Sequence, residues 1–141
     1  MPSSIPGAVD ALLALAAQVL PDVEQVEGEL GTYVAPEQFH VLDVIGEEQP
    51  RTVGLPRLMA ESYGITCLVR TYAGDVNMRA RRMRALAMKD AIRDGLLADP
   101  SMSGSVYEAY VSTFSLRTGT TDKGGSASEV EFVVHVDSYN E

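Results

Sequence analysis

A long helical segment, residues 75–100, is the feature that most restricts how this chain can fold. Asp75 is a suitable N-cap, and Pro100 ends the helix after Asp99. At about 100° per residue, its apolar side chains fall into two stripes with charge between them, rather than onto one buried face. The first stripe contains Val76, Ala80, Met83, Ala87 and Ala91, and the second contains Ala85, Met88, Ile92 and Leu96.

Positive charge is concentrated on the same segment. The chain carries 11 basic and 20 acidic residues, for a net charge of −9, and six of the basic residues lie here. Four of them share one stripe: Arg79, Arg82, Lys89 and Arg93. This stripe is either a solvated charged face or an interface, in which a small-residue stripe packs on the sheet and the arginines meet acids of another chain. DNA binding by this helix is a weaker hypothesis, since the overall negative charge opposes it.

An acidic region precedes the basic helix. Residues 22–61 contain nine acidic side chains against only Arg51 and Arg57. A basic helix and an acidic region on one chain suit head-to-tail association, in which each patch meets the opposite patch of a neighbour. Such heterologous contacts close into rings when the rotation between subunits permits. Charge complementarity then fixes register and speeds encounter more than it adds affinity.

The other elements are predicted from hydrophobic periodicity and from turn residues. The segment 8–20 is predicted to be a helix with Ser4 as its cap, and its alanine-rich composition indicates a sheet on one side and a neighbouring subunit on the other. Alternation is clearest where Tyr63, Ile65, Cys67 and Val69 share a face. Strands are predicted over 23–30, 38–45, 61–72, 106–117 and 129–139, with loops over 46–58 and 118–128.

This order predicts an α+β fold: one mostly antiparallel, mixed sheet with two helices on one face and a C-terminal hairpin with a long mobile loop. The length of 141 residues indicates a single domain, 1–141. One cysteine is compatible with a reducing compartment. No basic residue precedes the apolar run at 11–17, and no run is long enough to span a membrane, so we expect a protein that is cytosolic when made.

No catalytic constellation is visible in the sequence. Cys67 with His40 or His135 is the only conceivable nucleophile–base pair, but Cys67 lies on an apolar strand face, which favours a buried, inert thiol. No His or Cys pair has metal-ligand spacing. The glycines of 119–125 lack the context of a phosphate loop. We therefore expect no enzyme activity and no cofactor.

Over nearly its full length the chain resembles the tail terminator proteins of long-tailed, siphovirus-type phages, in particular the actinophage branch. The resemblance rests on "IPGAVDALLAL" and "LPDVEQVEGEL" near the start. It continues through "YAGDVNMRARRMRALAMKDAIRDGLLADPSMSGSV" and through a closing hairpin that begins "VSTFSLRTGT" and ends "ASEVEFVVHVDS". The acidic stretch 22–48 departs from the pattern and blurs the early strands.

The resemblance implies a mixed α/β domain that forms a hexameric ring on the head-proximal end of the tail tube. There it stops tube polymerisation and forms the surface for head–tail joining. The implied partners are further copies of the chain, the tail tube protein and head–tail connector or neck proteins, while DNA only passes through the channel. In this setting we expect Arg79, Arg82, Lys89 and Arg93 to contact a neighbouring subunit or axial partner. We expect the loop 118–128 to order against a partner through Asp122, Lys123, Gly124 and Gly125.

Two alternatives remain open at this stage. The first is another neck component of the virion, such as a head–tail connector or tail completion protein, since these also combine small sheets with helices in rings. The second is a small bacterial module that binds an apolar ligand under its sheet.

Overall fold

The computed structural model describes residues 3–27, 36–51, 58–121 and 124–140. Their strands form one mixed sheet in the order β1-β2-β3-β5-β4, in which β1 is parallel to β2 and the other pairs are antiparallel. The predicted α+β fold is confirmed. The elements are α1 (Ile5–Val19), β1 (Glu24–Glu27), β2 (Glu37–Arg51), β3 (Leu58–Ala73), α2 (Met78–Ala98), β4 (Glu108–Thr120) and β5 (Ser126–Asn140).

Both helices lie on the same face of the sheet. Along β3, alternate residues are buried from Glu61 to Thr71, and these two positions contact the helices: Ser4 at the start of α1 bonds Glu61, and Arg81 of α2 bonds Thr71. The predicted alternation in β3 and β5 is therefore correct. The core-facing side chains of these two strands include Tyr63, Ile65, Cys67, Val69, Val130, Phe132, Val134 and Val136.

The long second strand corrects one prediction. Residues 46–51 continue β2, and Leu58 already belongs to β3, so most of the predicted loop 46–58 is sheet. The segment 52–57 lies outside the described residues. Pro50 pairs with Met59 of β3, and β1 pairs only with Gln38–Val41. Among the described residues this half of β2 therefore has a strand on one side only, which is the kind of edge position where a sheet tolerates proline. Likewise, β1 replaces the predicted strand 23–30, of which residues 28–30 are not described.

Helix α1 begins three residues earlier than predicted, at Ile5, with Ser4 at the N-cap. The Ser4 hydroxyl does not bond a helix amide. Instead its Oγ and backbone N–H donate to Glu61 Oε1 at 3.0 and 2.8 Å, and Ser3 Oγ donates to Glu61 Oε2 at 2.5 Å. A carboxylate at a helix N-terminus is stabilised by the unpaired amides and the dipole. This contact anchors the start of α1 to the sheet.

Helix α2 begins at Met78, and its N-cap is Asn77, whose side chain accepts from the Ala80 N–H at 3.0 Å. The predicted cap, Asp75, accepts from the Asn77 N–H instead. The predicted end is confirmed, since Asp99 is the C-cap and Pro100 follows it. The stripe that packs on the sheet is the one with the larger side chains: Ala85, Met88, Ile92 and Leu96.

An ion pair ties α2 to the start of β2. Arg84 donates from Nε and Nη2 to the two oxygens of Glu37 at 2.6 and 2.9 Å, and Thr71 Oγ1 also donates to Glu37. The hydrogen bond and charge of Arg84 lower the pKa of Glu37 from its ordinary value of 4.5, against the opposing effect of burial. A two-point pair of this kind fixes orientation as well as distance.

We predict that Glu37→Gln lowers the free energy of unfolding by about 1 kcal/mol near neutral pH, because the pair is partly exposed to solvent. A lowered folded-state pKa stabilises the fold above the unfolded value, and this contribution is lost as pH falls through the folded value. The gap between wild type and variant should therefore close in acid. Urea denaturation at several pH values measures this difference in the free energy of unfolding. The control is Glu129→Gln, which breaks the more exposed pair with Arg117 and should have a smaller effect.

Gly46 faces Tyr63 across the β2–β3 pair, where a Cβ atom would overlap the Tyr63 Cβ and approach the Ser62 carbonyl to 2.9 Å. These are main-chain and Cβ atoms that cannot rotate away. We predict that Gly46→Ala lowers the free energy of unfolding by about 1–3 kcal/mol. Gly119→Ala is the matched control, since nothing lies within 4 Å of its Cβ position. Equal stabilities of the two variants would contradict the prediction.

Candidate protein-interaction surface

The predicted basic stripe of α2 is divided in the structure. Arg79, Arg82 and Arg93 are exposed, but Lys89 is only 6% exposed. Its Nζ lies 4.2 Å from the ring centroid of Phe114 on β4 and 2.6 Å from Asp90 Oδ1. Lys89 therefore holds α2 to β4 within the chain, through a cation–π contact, and three of the four predicted interface residues remain accessible.

Sequence reasoning missed the inward-facing arginines. Arg84 pairs with Glu37, and Arg81 Nη1 donates to Thr71 Oγ1 at 3.3 Å. The sequence did contain an indication of this. Arg81 and Arg84 lie between the two apolar stripes of the helix, which places them at the border of the core. Arg79 and Arg82, in contrast, form no ion pair with another described residue.

The charge layout of α2 opposes its own dipole. Arg79 lies in the first turn, where negative charge is favoured, and no basic residue lies in the last turn, where positive charge is favoured. An exposed positive charge in the first turn costs about 0.3–1 kcal/mol. Arg79 forms no ion pair with another described residue that would offset this cost, which suits a role in contacts outside the chain.

An exposed apolar patch adjoins the basic side of α2, along β4. We call it the β4 patch and define it as Leu97, Tyr110, Val111 and Phe114, of which Val111 is half-buried and Tyr110 lies on the other side of the edge strand from Phe114. Leu97 is 69% exposed and Phe114 is 56% exposed. A groove of about 290 Å³ separates α2 from β4, lined by Arg93, Leu96, Leu97, Tyr110 and Val111. Adjacent exposed apolar groups of this kind mark contact surfaces more often than single exposed residues do.

The predicted loop 118–128 is shorter than expected, because β4 continues to Thr120 and β5 begins at Ser126. Thr121 and Gly125 close the turn: the Thr121 N–H donates to the Gly125 carbonyl at 2.9 Å. Gly124 has φ +80°, and Gly125 is buried where a Cβ would overlap the Ala73 carbonyl. The geometry of the turn therefore accounts for both glycines without any contact with a partner. Asp122 and Lys123 lie outside the described residues.

A serine, a histidine and an aspartate meet on the sheet face opposite the helices, which the sequence did not indicate. His135 Nε2 lies 3.3 Å from Ser62 Oγ and 3.2 Å from Asp137 Oδ1. A hydrolase triad needs the serine and the aspartate on different ring nitrogens. Here both approach the same nitrogen, so the aspartate cannot orient the ring for the serine. His40 is buried, with Nε2 3.0 Å from Gln38 Oε1.

Cys67 is fully buried, as predicted, with its Sγ 3.6 Å from the Ile65 carbonyl. Burial raises the pKa of the Cys67 thiol well above its ordinary value, which suppresses the reactive thiolate. Among the described residues, no three His, Cys, Asp or Glu side chains are grouped so as to hold a metal ion. Neither helix in this part of the chain is both long and apolar enough to cross a membrane.

A second groove, of about 580 Å³, runs between α1 and the end of α2. Its lining includes Leu15 and Gly95, whose close approach sets the distance between the helices, since a Cβ on Gly95 would lie 2.9 Å from Leu15 Cδ1. Ala14 and Ala17 on the outer side of α1 are exposed. The outer side of α1, for which we predicted contact with a neighbouring subunit, is therefore not covered by the described part of this chain.

Comparison with known proteins gives a structural similarity but no sequence match. The sequence matches no protein-family model, and no curated protein matches it. Among solved structures, the chain overlaps a chain of the virion of a native gene transfer agent particle, with a TM-score of 0.43 and 10% sequence identity, over 88% of this chain and 85% of that one. A similarity at this level does not distinguish one function from another.

We predict that a maleimide reagent modifies Cys67 in the native protein at a small fraction of its rate with the urea-unfolded chain, because the thiol is buried and protonated. Mass spectrometry over time measures both rates in one sample. A native rate near that of the unfolded chain would show an accessible thiolate and would revive the nucleophile hypothesis.

Proposed function

We propose that the chain is a structural protein of a long-tailed phage virion, a tail terminator that forms a ring on the head-proximal end of the tail tube. The observation that carries the proposal is the surface formed by the exposed arginines of α2 and the β4 patch, which suits contact with protein. The α+β fold is the one that the sequence resemblance implies. Both supports come from this chain's own residues.

The composition of this surface favours a protein partner over a small ligand. Phe114, Tyr110 and Leu97 supply exposed apolar area, and Arg93 lines the groove beside Leu97 and Tyr110. Aromatic residues and arginine are enriched at protein interfaces. The groove between α2 and β4 has a volume of about 290 Å³, just below the roughly 300–1,000 Å³ of typical ligand pockets.

The proposal includes no catalytic step. The candidate groups for chemistry have structural surroundings: Cys67 is buried in the core, His40 is buried beside Gln38, and His135 contacts Ser62 and Asp137 through one nitrogen. The protein then acts by assembly, with further copies, the tail tube protein and the neck proteins as partners. It resides in the virion after synthesis in the host cytoplasm.

The sheet face away from the helices carries many acidic side chains. Asp43, Glu47, Glu129, Glu131 and Asp137 lie on it, against Arg70 and Arg117. A negative surface repels phosphate, so DNA passes along it without binding. A ring that lets DNA through its channel requires this property on some surface, and the acidic part of the sheet face away from the helices is the one we assign to the channel.

The position of the protein in the particle tests the proposal. We expect gold-labelled antibody to mark the head-proximal end of isolated tails in negative-stain images, and we expect tails made without the protein to be overlong and not joined to heads. A label on the capsid side of the neck, with tails of normal length, would identify a connector instead. A label at neither site would refute a role in the neck.

We predict that the purified protein forms a species near six times 15.2 kDa at low salt that dissociates as salt rises, since screening weakens contacts between exposed charges. Arg79→Glu with Arg82→Glu should abolish this species. Arg70→Glu is the control, because it reverses a charge on the opposite face of the sheet and in the central strand β3 rather than at an edge. Light scattering measures the mass, and assembly that survives the double reversal would contradict the interface.

A further inference from the structure

The two edges of the sheet are unequal, and the edge formed by β4 has little protection besides a register shift between Val111 and Thr113. Among the described residues β4 pairs only with β5. Eight consecutive residues, Ala109–Leu116, contain no charge, proline or glycine. Natural edge strands usually carry charges or prolines that prevent pairing with another chain. An uncharged edge rich in aromatic and β-branched residues is therefore expected to be covered by a strand of a partner.

The opposite edge carries the chain's other unpaired half-strand. From Asp43 onward, β2 has β3 on one side and no strand on the other among the described residues. This half-strand exposes Asp43, Glu47 and Glu48, none of which forms an ion pair with another described residue. It also exposes Ile45, which is 73% accessible and the most exposed large apolar residue in the described chain.

The strand directions allow these two edges to meet. From β2 to β3 to β5 to β4 each neighbour is antiparallel, so β4 runs opposite to β2. A second copy displaced sideways along the sheet therefore presents its β2 antiparallel to β4, with the helices of both copies on the same face. The displacement repeats head to tail, and such contacts close into a ring when the rotation allows.

Charges on the helix-side face support the same pairing. Glu48 is opposite Glu61 in the register and so lies on the helix side of its sheet. Lys89 marks the β4 side of α2 through its contact with Phe114, and Arg82 is two turns earlier on the same side. Glu48 of a neighbouring copy would face this unpaired guanidinium. Pairing of β4 with a second β4 would instead bring the basic sides of two α2 helices together.

We propose that copies of this chain associate by antiparallel pairing of β4 with the half-strand 43–51 of the next copy, so that one sheet continues across the subunit boundary. The inference deepens the proposed function, on which it rests, by naming the contact that builds the ring. Phe114 and Tyr110 of one copy lie beside this strand, on opposite faces, and Ile45 of the next copy is covered in the process.

Cross-linking between engineered cysteines tests the pairing. Glu47 and Ser115 are exposed and lie on the face away from the helices, one on each edge. We expect the variant with both Glu47→Cys and Ser115→Cys, treated with a short bis-maleimide at low salt, to give a ladder of covalent dimers, trimers and larger multimers. Each single variant should stay monomeric on a denaturing gel, because the native Cys67 is buried.

Two outcomes would overturn the inference. A covalent dimer from Ser115→Cys alone would show that β4 pairs with itself, and absence of a ladder from the double variant would show that the edges do not meet. Phe114→Glu, added to the double cysteine variant, should abolish the ladder, because the new carboxylate repels Glu48 of the next copy. Within its own chain the new carboxylate can still pair with Lys89. Val76→Glu is its control, since Val76 is exposed at the start of α2 and should leave the ladder intact.

The result separates this inference from the proposed function. A ladder together with a label absent from the tail end would keep the edge pairing and refute the terminator role. Labelled tail ends without a ladder would keep the terminator role and place the subunit contact elsewhere.

Discussion

The packing of one stripe of α2 on the centre of the sheet is the interaction on which the rest of the structure depends. Ala85, Met88, Ile92 and Leu96 are all buried, and they face a surface formed by alternate residues of β3 and β5. Each of the larger side chains contributes about 1.5–3 kcal/mol on burial. Helix α2 covers mainly β3, β5 and β4 of the five described strands. Its position therefore determines which strands of the sheet are left without this helix on their inner face.

Two polar contacts on opposite sides of α2 fix its rotation on the sheet. Arg84 reaches Glu37 at the β2 side, and Lys89 reaches Phe114 at the β4 side. With both held, Arg79 and Arg82 must point to solvent, and the β4 patch stays open beside them. The exposed basic groups and the exposed apolar groups are thus brought together by contacts that themselves face inward.

The same geometry supports the role in assembly that we propose. Its reactive groups are either buried in the sheet, as Cys67 and His40 are, or exposed in an arrangement that activates no nucleophile, as at His135. Among the described residues, the groups without a partner are instead two strand edges, several carboxylates on β2 and two arginines on α2. Each of these is satisfied most simply by another protein chain, and the two edges are complementary in direction and charge.

The sequence by itself determined the features that depend on neighbouring residues. The buried faces of β3 and β5, the burial of Cys67 and the end of α2 at Pro100 follow from alternation and from the missing proline N–H, which act within a few residues. The tertiary structure alone decided the parallel pairing of β1, the extension of β2 through Pro50, the burial of Lys89 and the pair between Glu37 and Arg84. These depend on which strands lie at an edge and on side chains 25 or 47 residues apart in the chain, as Lys89 and Phe114 or Glu37 and Arg84 are, and no local pattern encodes such distances.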